Sequence, residues 1–490
     1  MTPSRPVGAR AWPGLGLALG AISLWLVGCA QLPDLPAPAP LKTAADWPSS
    51  QTLAGDPGSP WPQDRWWTGY GDAQLDTLID EALAQSPDLA AAGARLAQAR
   101  ALTEQAGAAT APQVGAEANL SAEKLSYDYL TPRSMLPTGV NNYGEASLSL
   151  SWELDFWGRH RAALAAATSQ QAARQAELAQ ARLLLTAGVA TQYAELSRLY
   201  ADRDTAAQAV AIRSKTAELL AQRLHNGLET RGSLRDAEAR RAAAEGALLA
   251  VDEQIALQRH RLAALLGAGP DRGLRIQRPQ LRPDHAYGLP GQLGLDLLGR
   301  RPDIAAARQL VQAQSSAIDA QRAAFYPNVN LSAFVGVQAL GLGQLTDVGA
   351  HQGGISPALS LPIFSGGQLE GALRGTQARH DELVALYHAT ITRALQEVAD
   401  NAASQRALHL RLAKAQEAVD AASEAHRLAR QRYEGGLGTY LDVLLAEDNL
   451  LATLSTQTRL RALALTLDID LQRALGGGYQ VAIDATPASR

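Results

Sequence analysis

The 24 prolines of this 490-residue chain leave two long windows empty, residues 138–269 and 363–486. Proline costs about 3 kcal/mol inside a helix, because it lacks the amide donor and its ring strikes the preceding turn. Windows this long without it admit helices far beyond the usual globular length. In the first window the pattern predicts a strand, then a helix from Trp157 to about Asn226. At 1.5 Å per residue that helix is a rod of about 100 Å. Asn226-Gly227 reverses the chain into a second helix from about Thr230 to Leu266. An alanine-rich composition, 47% hydrophobic but only 5% aromatic, suits such helices better than a compact aromatic core.

The second helix carries a heptad stripe. Leu234, Arg241, Leu248, Ile255 and Leu262 fall seven apart, with Ala237, Ala244, Val251, Gln258 and Leu265 three residues beyond each. Such a seam packs as a coiled coil or as helix-bundle core. The same arrangement then recurs. Ser86-Pro87-Asp88-Leu89-Ala90-Ala91-Ala92 returns as Arg301-Pro302-Asp303-Ile304-Ala305-Ala306-Ala307. Arg223, Gly227, Leu228, Thr230, Ala237 and Glu238 likewise match Arg432, Gly436, Leu437, Thr439, Ala446 and Glu447. Two tandem units are present, each longer than the common solenoid repeats.

Between the helices of each unit lie two segments of period two. Val114, Ala116, Ala118, Leu120 and Ala122 form one stripe; Ala146, Leu148, Leu150, Trp152 and Leu154 form another. Val329, Leu331, Ala333, Val335 and Val337 make the third, and Ile355, Leu359, Leu361 and Ile363 the fourth, interrupted by Pro357 and Pro362. Such segments suit tilted membrane strands with one face to lipid and one to a wet lumen. Lys124–Tyr143 and Gln338–Gly354 are the expected hairpin loops, and Phe156, Phe325, Phe334 and Phe364 the candidates for an interfacial aromatic girdle. Four strands cannot enclose a lumen. Open edges are not tolerated in hydrocarbon, so either the sheet stays out of the membrane or several chains close one barrel.

The N-terminal segment supplies an address. Arg5 and Arg10 precede an apolar run from about Leu15 to Val27, too short for a comfortable span and typical of a secretory signal. The run ends in Leu26-Val27-Gly28-Cys29, whose cysteine is the chain's only one. This resembles a bacterial lipobox, with Cys29 as the acylated residue and Ala30 favouring outer-membrane delivery. Eight prolines between residues 30 and 62 predict an extended tether rather than a packed element. The expected layout is a signal peptide at 1–28, a lipidated tether at 29–62, a first repeat at 63–269, a connector at 270–295, a second repeat at 296–478 and a tail at 479–490. Strands are expected at about 113–124, 144–155, 328–338 and 354–364, with coiled-coil pairs at about 157–266 and 366–475.

Other functions find little support. A formal charge of −4 disfavours a nucleic-acid partner. One cysteine excludes a disulfide framework, and no two of the nine histidines stand three to five residues apart, as a helical metal pair would. Ser121-Ala122-Glu123-Lys124 fits a Ser-x-x-Lys pattern but lies in a strand and lacks a Lys-Thr-Gly companion. No phosphate-binding Gly-x-x-x-x-Gly-Lys loop appears, so any energy the protein uses must come from a partner. Neither an enzymatic activity nor a cofactor is expected.

Several motifs in order carry a family resemblance: the Cys29 lipobox, Trp66-Trp67, Glu153-Leu154-Asp155-Phe156-Trp157-Gly158-Arg159, Arg300-Arg301-Pro302-Asp303-Ile304, Phe325-Tyr326-Pro327, Leu361-Pro362-Ile363-Phe364 and Ala474-Leu475-Gly476-Gly477-Gly478. Over about residues 60–480 the chain resembles the TolC/OprM-type outer-membrane efflux proteins, in particular their NodT-type lipoprotein branch. The resemblance implies a mainly α protomer trimerising into a 12-strand membrane β-barrel and an α-helical periplasmic barrel. It also implies a periplasmic adaptor and an inner-membrane pump, expected to be of the RND type, as partners in expelling small molecules. The implied gate lies on Leu441, Asp442, Leu445 and Asp448, where Leu441 matches an apolar constriction and Leu445 replaces a carboxylate of some relatives. Gly227, Leu228, Thr230, Gly436, Leu437 and Thr439 match the family's tip signature, with adaptor docking as the implied role. Two alternatives stay open: a duct for type I protein secretion, and a non-conducting periplasmic coiled-coil lipoprotein. The exported substrate is not written in the chain.

Overall fold

A computed structural model describes residues 33–42, 46–49, 51–53, 60–128, 130–281, 289–290, 297 and 299–480. Cys29, the expected lipid anchor, lies outside the described residues, as does the signal segment. Helices α1 (Ala73–Gln85) and α2 (Pro87–Ala108) precede β1 (Gln113–Glu123) and β2 (Asn141–Leu154). The long α3 (Arg159–His225) and α4 (Arg231–Leu265) follow. The second half runs α5 (Pro302–Ala323), β3 (Asn328–Leu340), β4 (His351–Ser360), α6 (Gln368–Glu434) and α7 (Tyr440–Ala474). The helices of the two halves correspond in length. Helices α3 and α6 both have 67 residues, starting at 159 and 368. Helices α4 and α7 both have 35, and α2 and α5 both have 22.

The chain forms two compact units that cut across these repeats. One comprises Gln98–Gln171 and Gln309–Ala385 with the described part of residues 1–40. It holds one antiparallel sheet in the order β1-β2-β3-β4. Its register aligns all four apolar stripes on one face. Val114 lies opposite Leu150, which lies opposite Ala333, which lies opposite Ile355. The other face carries rows such as Ser151, Ser332 and Ser356. Among the described residues most of the apolar face is bare: Ile355 is 75% exposed, and Val114, Leu120 and Leu359 are each 69% exposed. Strands β1 and β4 are the two edges, each paired on one side only.

Several details differ from the sequence expectation. Strand β2 begins at Asn141, because Asn141–Tyr143 pair with Glu123–Ser121. Strand β4 occupies 351–360 rather than 354–364. Pro362 has no amide to continue a ladder, whereas Pro357 is accommodated in an edge strand. The phenylalanines do not form one girdle. Phe325 is 2% exposed and packs with Ile318 and Leu373, and Phe334 lies on the polar face between Ser149 and Gly354. Only Phe156 and Phe364 stand exposed beside the helix-proximal strand ends. The proline-rich segment is extended but docked: Leu35 packs on the Phe325 cluster, Gln377 donates to the Pro36 carbonyl, and Ala39 donates to Asp381 at 2.8 Å.

Entry into α3 is set by Asp155, which accepts from the amides of His160 (3.2 Å) and Arg161 (2.9 Å). Burial pushes its carboxyl up, but those amide hydrogen bonds prevail and hold it below the ordinary aspartate value. Trp157 stacks on Tyr326 and donates to the Pro327 carbonyl at 2.8 Å, tying the start of α3 to the start of β3.

The second unit comprises Leu41–Ala97, Ala172–Arg308 and Leu386–Arg490. Its main core joins Trp66, Trp67, Tyr70, Leu78, Ile79, Tyr193, Leu196, Ile255, Leu262 and Ile469. The heptad residues Ala237, Ala244, Ile255, Gln258 and Leu262 are buried, as are Val443, Leu450, Gln457, Leu460, Leu471 and Ala474 on α7. Part of the expected connector belongs to this core: Ile276 is fully buried, and the Gln280 amide donates to Asp72 at 2.7 Å. Buried Arg301 ties three helices together, binding Asp303 at the start of α5, Glu397 within α6 and the Ala474 carbonyl at the end of α7. The chain then turns through Gly476, at φ 91°, directly against the Arg300 carbonyl oxygen. A Cβ there would overlap that oxygen. Gly476→Ala is expected to destabilise the protein by about 3 kcal/mol or more and lower its melting temperature in detergent. Gly371→Ala, in open space on α6, should leave it unchanged or raise it.

Candidate functional site

The two helix-reversing turns lie in the second unit and share one construction. Gly227 (φ 70°) and Gly436 (φ 74°) take the left-handed conformation that ends α3 and α6. The following amides close the turns, Leu228 onto Arg223 at 2.8 Å and Leu437 onto Arg432 at 2.8 Å. Both leucines are exposed. Thr230 caps α4 by accepting from the Ser233 amide at 3.1 Å. Thr439 caps α7 in a reciprocal box, accepting from the Asp442 amide at 3.3 Å and donating its own amide to Asp442 at 2.8 Å. The Asp442 carboxylate is therefore engaged locally. The Thr439 amide, then its hydroxyl, hold its pKa below the ordinary aspartate value.

Side chains link the two turns. Tyr433 at the end of α6 donates its hydroxyl to Glu229 in the first turn. Arg223 lies 4.5 Å from the Tyr433 ring centroid and donates to the Tyr433 carbonyl at 3.2 Å. The Tyr433 hydrogen bond, followed by that of the Thr230 amide, keeps Glu229 below its ordinary range. Burial, aided by Glu229, pushes Tyr433 up to about 12. Tyr433 also packs with Ala217, Leu220, Ala237 and Val443 in a small apolar cluster.

Above that cluster lies an ionic network. Glu447 on α7, only 1% exposed, accepts from Thr216 at 3.0 Å and pairs with Arg213 of α3 at 3.4 Å. Asp448 bridges Arg213 at 3.3 Å and Arg240 of α4 at 3.2 Å. Arg240 also holds Asp236 at 3.0 Å, and Asp236 accepts from Tyr440 at 3.4 Å. Helices α3, α4 and α7 are thus clasped at one level. Leu441 and Leu445 are left uncommitted, 61% and 63% exposed, whereas Asp448 on the same helical face is held by two arginines.

Glu229, Tyr433, Arg213 and Glu447 were not apparent as site residues from sequence. One signal was present: Glu447 follows Val443 by four residues and precedes Leu450 by three, placing a charge on a largely apolar seam. A carboxylate in that position requires a buried partner.

A sheet with a bare apolar face and two unpaired edges, joined in one chain to two long helical hairpins with clasped turns, defines the protomer of an outer-membrane channel. No helix among the described residues is long and apolar enough to cross a membrane. Comparison with known proteins agrees. The model of the family described as outer membrane efflux protein matches residues 78–268 and 293–477, and the chain belongs to that family. The multidrug resistance outer membrane protein MdtP of Escherichia coli is 33% identical over 429 residues, 86% of this chain and 88% of that protein. The fusaric acid resistance protein FusA of Burkholderia cepacia is 37% identical over 369 residues, 74% of this chain and 69% of that one. The crystal structure of the outer membrane protein VceC from Vibrio cholerae superposes with a TM-score of 0.82 at 45% identity, covering 86% of this chain and all of that one. The chain is an outer-membrane exit duct whose helices extend into the periplasm.

The Glu229 contact has a definite pH dependence. Because its folded pKa is depressed, its contribution is fully present above the ordinary value of 4.5 and is lost as pH falls through the lower folded value. Hydrogen exchange in residues 226–230, corrected for intrinsic rates, should stay slow at pH 7 and pH 5 and quicken only well below 4.5. Tyr433→Phe should quicken it already at pH 7.

Proposed function

We propose that three copies of the chain close one twelve-strand barrel and a continuous helical tunnel, forming the passive exit duct of a tripartite efflux system. The observation that carries this reading is the four-stranded sheet, whose apolar face and two open edges cannot be satisfied by one protomer in a membrane. Acylation at Cys29 anchors each protomer in the outer membrane. Gly227, Leu228, Thr230, Gly436, Leu437 and Thr439 form the surface on which a periplasmic adaptor docks, the exposed Leu228 and Leu437 providing apolar contacts. An inner-membrane pump of the RND type supplies the energy and selects the cargo, and the duct itself performs no chemistry. The names of MdtP and FusA, which refer to multidrug and fusaric acid resistance, favour small organic molecules as that cargo.

The closed state is held at the clasped turns. Leu441 and Leu445, repeated by threefold symmetry, form an apolar constriction that excludes water. Asp442 maintains the helix start, and Asp448 latches α7 to Arg213 and Arg240. In this reading Asp448 is a latch and no free acidic ring is required.

Planar-bilayer recording of the purified, full-length protein tests the duct. A detergent-resistant trimer with discrete conductance steps is expected, whereas a monomer without conductance would leave a non-conducting coiled-coil lipoprotein. Asp448→Ala removes the bridge from α7 to Arg213 and Arg240, leaving them to Glu447 and Asp236, and should raise the closed-state leak, while Glu370→Ala, on an exposed pair of α6, should not. Cys29→Ser should abolish acylation, read as the loss of lipid mass from the mature N-terminus.

A further inference from the structure

The hairpin between β1 and β2 carries an arrangement that transport leaves unused. The Gly139 amide donates to the Tyr127 hydroxyl at 2.8 Å, fixing the ring across the loop. Lys124 Nζ lies 5.9 Å from that ring's centroid and Arg133 Cζ lies 5.0 Å from it. Each cation is attracted by the ring's electron-rich face, but two cations drawn to one ring repel each other. Neither forms an ion pair among the described residues, the nearby Asp128 included. An anion in reach of both cations offsets that repulsion and gives each an ionic partner.

Position identifies the anion. Lys124 follows the last residue of β1 and continues the two-residue phase of Val114, Ala118 and Ala122, so it stands at the rim of the apolar face. The strand carboxylates Glu117, Glu123, Glu145 and Glu153 all fall in the opposite phase, on the polar face. The loop also exposes Leu130, Met135 and Val140, as a segment meeting acyl chains would. On the same apolar face, Ala116, Ala118, Ala146, Leu148 and Val337 border an open hollow of about 530 Å³. Ala118 lies six residues from Lys124, about 20 Å along the strand, comparable to an extended acyl chain.

We propose that Lys124 and Arg133, positioned by Tyr127, bind the phosphate group of an outer-leaflet glycolipid whose acyl chain lies along the apolar face toward this hollow. The inference rests on the outer-membrane duct reading, because it needs the apolar face in lipid and this loop at the outer rim.

The test uses the full-length wild-type protein and Lys124→Ala/Arg133→Ala in phosphatidylcholine nanodiscs containing either lipid A or its dephosphorylated form. Native mass spectrometry reads the glycolipid retained. The wild type should retain lipid A, and the double variant should bind about 30-fold less tightly, the factor expected from two basic residues at an anionic surface. Dephosphorylation should weaken the wild type to the same degree and leave the double variant unaffected. Equal retention by both proteins, or of both lipids by the wild type, would overturn the proposal. Displacement of lipid A by millimolar inorganic phosphate would assign the site to free phosphate and overturn it equally. Bilayer conductance is measured on both proteins and should match. Retained lipid A in a wild type that never conducts would defeat the duct reading while leaving the phosphate site standing.

Discussion

Every backbone amide in hydrocarbon must find a partner within protein, and this requirement governs the molecule. Strands β1 and β4 each leave one side unpaired, while the alternating apolar stripes of all four strands lie in register on one face. A soluble sheet with this face would need a cover. A single chain in a membrane would need more strands. Association resolves both needs at once, so the functional assembly follows from an unfilled hydrogen-bonding valence rather than from a catalytic or ligand-binding cluster.

The helical half solves a different problem. Coiled hairpins of great length gain little from local propensity and depend on their seams, and these are built largely of alanine, leucine and valine. Polar residues interrupt the seams where the partners are specific. Gln258 donates to the Gln192 carbonyl at 2.8 Å, and Gln457 to Gln416 at 2.7 Å. Glu447 continues this logic near the turns with a charge. Removing Arg213 would leave that carboxylate buried without its ionic partner, so the register of α7 against α3 is tied to the same contact that clasps the turns.

Periodicity made much of this legible beforehand. Proline-free windows marked the long helices to within a few residues, because a breaker excludes helix wherever it falls. Alternation assigned the apolar faces of β1, β2 and β3 because period two admits no other reading. Features that depend on distant neighbours were hidden. Phe325 and Phe334 belong to the same residue type, yet one fills a core beside Leu373 and the other lies across Gly354 on the polar face. Composition marked residues 33–42 as extended but could not show that Gln377 and Asp381 receive them. At the turns, glycine and threonine were readable from local geometry. The Tyr433–Glu229 contact joins residues 204 positions apart and has no local signature.

The equal lengths of α3 and α6, and of α4 and α7, limit how the fold can vary in size. A change in reach cannot be confined to one rod. Adding a heptad to α3 alone would slide its seam past α4 and α7 and part Arg213 from Glu447. Variation in span must come as coordinated insertions in all four rods, in whole heptads, which makes the periplasmic reach of such a duct a quantised trait.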